Sequence, residues 1–193
     1  MACNIKQHTD APSASVKLML VGVAPPHVAG VQTRTAANSA TNDPHDNLRG
    51  FILATLGGPW ADLLARGLFL IHGVKCAIVP EDGHQNPPDD VVDTCAPQHF
   101  AREIQLVRPP AVVVFGRAPH RALLRVPGVR ASMLNGLGLS CSVAALVERT
   151  RGGAEINAGG WRFRLFGSPF PLRDRRLAAE ILQNAARHAG VVQ

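Results

Sequence analysis

Val16-Lys17-Leu18-Met19-Leu20-Val21-Gly22-Val23-Ala24-Pro25-Pro26-His27 is the stretch that decides the fold. It opens as a short apolar run, the mark of a parallel strand buried on both faces. It halts at Gly22, and two prolines, which have no backbone N–H to give, force a non-helical turn. In an open α/β sheet, ligands bind just past the carboxyl ends of the strands, so this turn predicts the floor of a site. Ala111-Val112-Val113-Val114-Phe115 is a second run of this kind, ending in Gly116-Arg117. Trp161-Arg162-Phe163-Arg164-Leu165-Phe166 is a third, ending in Gly167-Ser168-Pro169-Phe170-Pro171-Leu172-Arg173. Each turn alone reads as the end of a strand. The three together predict one crevice fed by three loops.

Outward from these strands the pattern alternates. Residues 1–15 are polar and irregular and read as a flexible N-terminal segment, with residues 16–193 forming a single domain. Residues 28–47 read as a long loop rich in Thr, Asn and Ala, a length that in a compact domain marks function or mobility. Asp46-Asn47 can cap a helix whose apolar residues are Leu48, Phe51, Ile52 and Leu56. Trp60 to Arg66 reads as a short helix, Gly67 to Val79 contains a further buried strand, and Pro80 to Pro88 is a polar loop. Asp89 or Asp90 starts a helix with Val92, Ala96, Phe100 and Ile104 on one face, stopping at Pro109-Pro110. Short helices are predicted over Ala118–Leu124 and Ser140–Arg149, and Arg151–Gly160 reads as a turn-rich connection. Asp174 caps a last helix with a core face of Leu177, Ile181 and Ala185. Strands alternating with helices predict a parallel sheet covered on both faces.

Composition bounds what such a domain can do. A hydrophobic fraction of 46% over 193 residues suffices for a sizeable core and argues against a disordered chain. Twenty Lys+Arg stand against 14 Asp+Glu, a net charge of +6, and most of the basic residues are arginine. Arginine suits bidentate phosphate contacts, although a basic balance also occurs in proteins that bind no nucleic acid. No apolar run approaches the ~20 residues of a membrane span, and the N-terminus lacks a basic-then-apolar signal. The expectation is a cytoplasmic protein with reduced thiols and no membrane contact. Nothing in the sequence points to a protein partner.

Four blocks, in order, carry a resemblance. They are Gly22-Val23-Ala24-Pro25-Pro26; Val74-Lys75-Cys76 with Asn86-Pro87 and Cys95 downstream; Arg102 to Pro109 leading into Val112 to Gly116; and Ser168-Pro169-Phe170-Pro171-Leu172-Arg173. The chain resembles the uracil-DNA glycosylase superfamily over most of its length, nearest to its families 4 and 5. The first block is similar to Gly-Glu-Ala-Pro-Gly and Gly-Leu-Ala-Pro-Gly in those families, and the last to their His-Pro-Ser loop. The resemblance implies a three-layer α/β/α fold with a central, mostly parallel sheet of four strands. It implies DNA as partner, and hydrolysis of the N-glycosidic bond of uracil or another deaminated base as the activity.

The departures bear on chemistry. A base-excising enzyme must flip the base out, hold its Watson–Crick edge and stabilise charge while water attacks the sugar. Family 4 has a glutamate for that water where this chain has Val23, and the final loop's histidine is replaced by Ser168. One oxyanion-type donor stabilises a transition state by about 3 kcal/mol, so both losses predict weak excision or none. Asp46 falls near an aspartate that family 5 uses in the following loop, and also reads as a helix N-cap. His27 stands where some members carry a histidine near the flipped base, and His72 where an asparagine usually precedes the Val-Lys-Cys block. His84 lies eleven residues before Cys95, the register of the covalent histidine in the uracil-DNA cross-linking branch, and also reads as a plain loop residue. With Gly22, Val23, Ala24, Pro25, Pro169 and Arg173, these residues complete the candidate site.

The same families hold a [4Fe–4S] cluster on four thiolates. Cys76 and Cys95 match the later pair, Cys3 alone stands upstream, and His8 is the remaining nearby donor. An incomplete ligand set leads to the expectation of a protein without a cluster. Two other classes compete with the excision enzyme: a catalytically inactive binder of nucleic acid or nucleotide on the same fold, and an unrelated hydrolase on a similar one.

Overall fold

β1 (Leu18–Gly22), β2 (Leu68–His72) and β3 (Ala111–Phe115) are five-residue strands with every residue buried. They belong, in a computed structural model that describes residues 15–23, 47–74, 87–132 and 136–192, to one five-stranded sheet. β4 (Ala154–Ala158) and β5 (Trp161–Ser168) complete it, in the order β2-β1-β3-β5-β4. β2, β1, β3 and β5 run parallel, and β4 is antiparallel to β5 at the edge.

Alternation along the central strands feeds two cores. Met19, Val21, Val112 and Val114 face α3 (Asp89–Gln98), α4 (Phe100–Val107) and α5 (Arg117–Leu123). Leu18, Leu20, Val113 and Phe115 face α1 (Asn47–Leu56), α2 (Trp60–Ala65) and α8 (Arg175–His188). α6 (Val129–Ser132) and α7 (Val143–Thr150) lie toward the β4–β5 side. The three-layer α/β/α architecture follows from continuous apolar strands that need cover on both faces.

Two expectations are corrected. The sheet has five strands rather than four, because the stretch read as a turn-rich connection contains β4. Only Ile156 there is β-branched, and glycines flank the strand on both sides. Ile156 and Ala158 are nonetheless buried while Glu155 and Asn157 are exposed, the period-2 pattern of a half-covered edge strand. Gly159 and Gly160, at φ 60° and 87°, supply the two positive φ values of a tight hairpin turn. The helix expected from Asp89 is two helices. Pro97 gives no N–H to the ladder and crowds the turn before it, and the chain breaks at His99 (φ −120°, ψ −64°). Val92, Ala96, Phe100 and Ile104 still share one core face across the break.

Arginines bind α3 to α5. Arg121 spans Asp89 (2.9 Å) and Asp93 (2.6 Å), Arg117 pairs with Asp89 (2.7 Å) and Arg125 with Asp93 (2.5 Å). Hydrogen bonds from Arg121 hold the Asp93 carboxyl down at about 2, against the opposing pull of burial, with Arg125 adding to the effect. The pairing order makes α3 and α5 parallel, so both begin at the carboxyl edge of the sheet. No helix among the described residues is long and apolar enough to cross a membrane.

Candidate active site at the carboxyl edge of the sheet

Strand register brings the first and last motifs to one edge. Gly22 pairs with His72, Val21 with Val114, Val114 with Gly167, and Phe115 with Ser168. The turns that begin at Gly22, Gly116 and Gly167 therefore open on the same side of the sheet, as the three strand endings predicted.

The first motif is zipped to the middle block. Gly73 N–H donates to Gly22 C=O at 2.9 Å, and Val74 N–H to Val23 C=O at 3.0 Å. His72 is buried, and its ring lies against Gly22. A Cβ on Gly22 would meet His72 Cδ2 at 3.1 Å and Leu48 Cδ2 at 2.8 Å. Gly22 is thus required by close approach: α1 and the His72 ring both press on its face. Val23 is partly buried against the core and offers no proton donor or acceptor from its side chain.

The last motif is anchored at its root and lifted at its tip. Gly116, at φ 89°, donates its N–H to Ser168 C=O at 2.8 Å, tying the β3 turn to the β5 turn. Ser168 is fully buried and its Oγ donates to Pro169 C=O at 2.9 Å. Phe170-Pro171-Leu172-Arg173 closes as a turn through Arg173 N–H to Phe170 C=O (2.8 Å), with proline at the position whose φ it pre-sets. That turn leaves Leu172 72% exposed at the tip of the loop. Asp174 then caps α8 by accepting from Leu177 N–H at 3.0 Å. Arg173, Arg175 and Arg176 are exposed around this cap, with Arg175 leaning over the Phe51 ring at 5.9 Å.

Among the candidate residues, Gly22, Val23, His72, Ser168, Pro169 and Arg173 are described, and all lie at this edge or on the loop leaving it. Ala24, Pro25, His27, Asp46 and His84 lie outside the described residues, as do Cys3, His8 and Cys76. Cys95 is on α3, buried beside Val92 and Ala96. Two residues that shape the edge were not singled out from sequence. Thr150, fully buried, accepts from Gly167 N–H at 2.6 Å and donates to Leu146 C=O at 2.7 Å. His120, buried on α5, is held neutral down to a pKa of about 4 by desolvation, partly offset by a hydrogen bond to the Leu137 backbone. The helical register carried no signal for either, since a Thr or His on a short helix is unremarkable in sequence.

The sequence model of the Uracil DNA glycosylase superfamily matches residues 9–173, from before β1 to the end of the last motif. The chain belongs to this superfamily. None of the curated proteins matches it. Superfamily membership supports a uracil-DNA glycosylase-like function in general, with DNA as the partner. The glycosylase match also ends at Arg173, on the loop that presents Leu172.

Proposed function

We propose that the chain is a DNA-binding superfamily member nearest in its motifs to families 4 and 5, which slowly hydrolyses the N-glycosidic bond of uracil or another deaminated base. The observation that carries this reading is the meeting of Gly22, His72 and the Ser168–Arg173 loop at one sheet edge. In the reaction, water adds to C1′ of the sugar, the C1′–N bond breaks, and its electron pair leaves with the base. Asp46 accepts the proton of the water, His27 and His72 hydrogen-bond the base edge, and the final loop wedges into the DNA. Val23 cannot share the water's proton, and the Ser168 hydroxyl is already turned to Pro169 C=O, so stabilisation of the leaving base is weak.

The test is strand cleavage after base excision from oligonucleotides bearing uracil, hypoxanthine or xanthine. Asp46→Asn keeps helix-capping ability while removing the base, and is expected to lower excision at least about 100-fold with folding stability nearly unchanged. Equal excision by parent and variant would assign Asp46 to capping alone.

A second reading, an inactive binder, is favoured by the engaged Ser168 hydroxyl and the apolar Val23; it predicts binding without cleavage on every base. Both readings place Arg173, Arg175 and Arg176 against phosphates. Replacing all three with alanine is expected to weaken DNA binding and lower the salt slope by about 1 for each phosphate no longer neutralised. Affinity equal to the parent's across a salt titration would remove this surface from the interface.

A further inference from the structure

The geometry points to Thr150 as a positioning residue for the Ser168–Arg173 loop, acting through the Gly167 backbone. In β5, Arg164 N–H bonds to Pro110 C=O and Ser168 C=O receives Gly116 N–H, so even-numbered residues face β3. Gly167 is out of phase with them, and its N–H faces the opposite edge. β4 would satisfy it there, but the β4–β5 register ends at Ala154 opposite Leu165. The strand thus reaches the site with one donor that no strand takes up, buried by α7. Thr150 Oγ1 takes that donor at 2.6 Å and passes its own hydrogen to Leu146 C=O at 2.7 Å. A side chain of α7 stands in for the missing strand.

The approach is too close to be incidental. A Cβ on Gly167 would meet Leu146 Cγ at 2.4 Å and Thr150 Oγ1 at 2.8 Å, so α7 rests directly on the β5 backbone. One residue later Ser168 C=O ties back to Gly116, and beyond it Phe170 C=O closes the turn that lifts Leu172. The β5 chain is therefore clamped from both edges, by Thr150 on one side and Gly116 on the other, immediately before the loop. A buried N–H without a partner pulls toward water, so losing the Thr150 acceptor should free the root of this loop. The consequence for DNA rests on the glycosylase-like reading above; the ordering of the loop does not.

Amide hydrogen exchange on the full chain tests the clamp, with binding to a uracil-containing duplex measured in parallel. Thr150→Val keeps the shape and removes the hydroxyl. It is expected to raise exchange over residues 167–173 about tenfold, leave Leu18–Val21 protected, and weaken DNA binding about fivefold. Thr150→Ser restores the acceptor and is expected to match the parent in both. If valine is too bulky against the Gly167 N–H for the protein to fold, Thr150→Ala gives the same readout. Parent-like exchange at 167–173 in the valine or alanine variant overturns the proposal. So does a uniform rise that includes Leu18–Val21, which would make Thr150 a source of general stability only. Faster loop exchange in a protein whose parent binds no DNA supports the clamp and overturns the DNA reading instead.

Discussion

Gly167→Ala is expected to destabilise the protein by about 3 kcal/mol, at the upper end of what overpacking costs, and to lower Tm by about 10 °C. Gly167 is not a glycine of conformation, because nothing in its backbone demands positive φ; it is a glycine of close approach. The added methyl would meet Leu146 Cγ at 2.4 Å, Leu146 Cδ2 at 2.9 Å and Thr150 Oγ1 at 2.8 Å. Leu146 is fully buried, and in a close-packed interior α7 is expected to shift away from β5. That shift also stretches the 2.6 Å bond from Gly167 N–H to Thr150, adding the cost of a buried donor left short of its acceptor. Urea unfolding of the variant checks the magnitude. Leu146→Ala carries its own cavity cost, so the check is non-additivity: the double variant should lose less than the two single losses together, because the atoms the methyl strikes are gone. Gly50→Ala is the matched control: it lies in α1 with nothing within 4 Å of its added methyl, and is expected to gain up to about 1 kcal/mol. A Gly167→Ala variant as stable as the parent would mean that α7 does not sit on β5 as described.

The central sheet was legible because β1, β2, β3 and the second half of β5 are buried on both faces, which leaves continuous apolar runs in the sequence. β4 was not legible, since an edge strand with one buried face needs few β-branched residues and here has a single one, Ile156. The break at His99 had a visible cause in Pro97, but the apolar spacing of Val92, Ala96, Phe100 and Ile104 runs straight through it and suggested one helix. At the site, Gly22 and Ser168 were legible as strand endings, because Gly and Pro punctuate a chain wherever it must turn. Thr150 was not, because its importance depends on where β4 stops, and that depends on pairing between strands rather than on any residue near Thr150 in sequence. The same holds for His120: burial decides its chemistry, and a seven-residue helix carries too few residues for a periodic pattern to reveal its buried face.

Acid is expected to weaken the fold in two separate windows, of which the first belongs to His120. This side chain is 3% exposed, and desolvation lowers its pKa from 6.5 to about 4, against the hydrogen bond to the Leu137 backbone that favours the charged form. Its Nε2 is buried without a hydrogen-bond partner among the described residues, so a proton added there would place a charge in the core with nothing to receive it. Above pH 6.5 the ring is neutral in folded and unfolded chains alike, and His120 contributes no slope. Between 6.5 and about 4 the unfolded chain takes up a proton that the folded chain refuses, so stability falls as pH falls. At 1.36 kcal/mol per pH unit, the loss accumulates to about 3 kcal/mol by pH 4. Asp93 acts lower: its carboxyl, depressed to about 2 from 3.8, stabilises the fold above 3.8 and loses that contribution as pH falls toward 2. His120→Asn keeps a donor for the Leu137 carbonyl but cannot titrate. It should be less stable than the parent at pH 7.5, through lost packing, yet lose less on going to pH 4.5. Urea unfolding of both proteins at pH 7.5, 6.0, 5.0 and 4.5 measures the difference. Parallel curves for parent and variant would show that His120 takes up its proton in the folded protein as readily as in the unfolded one.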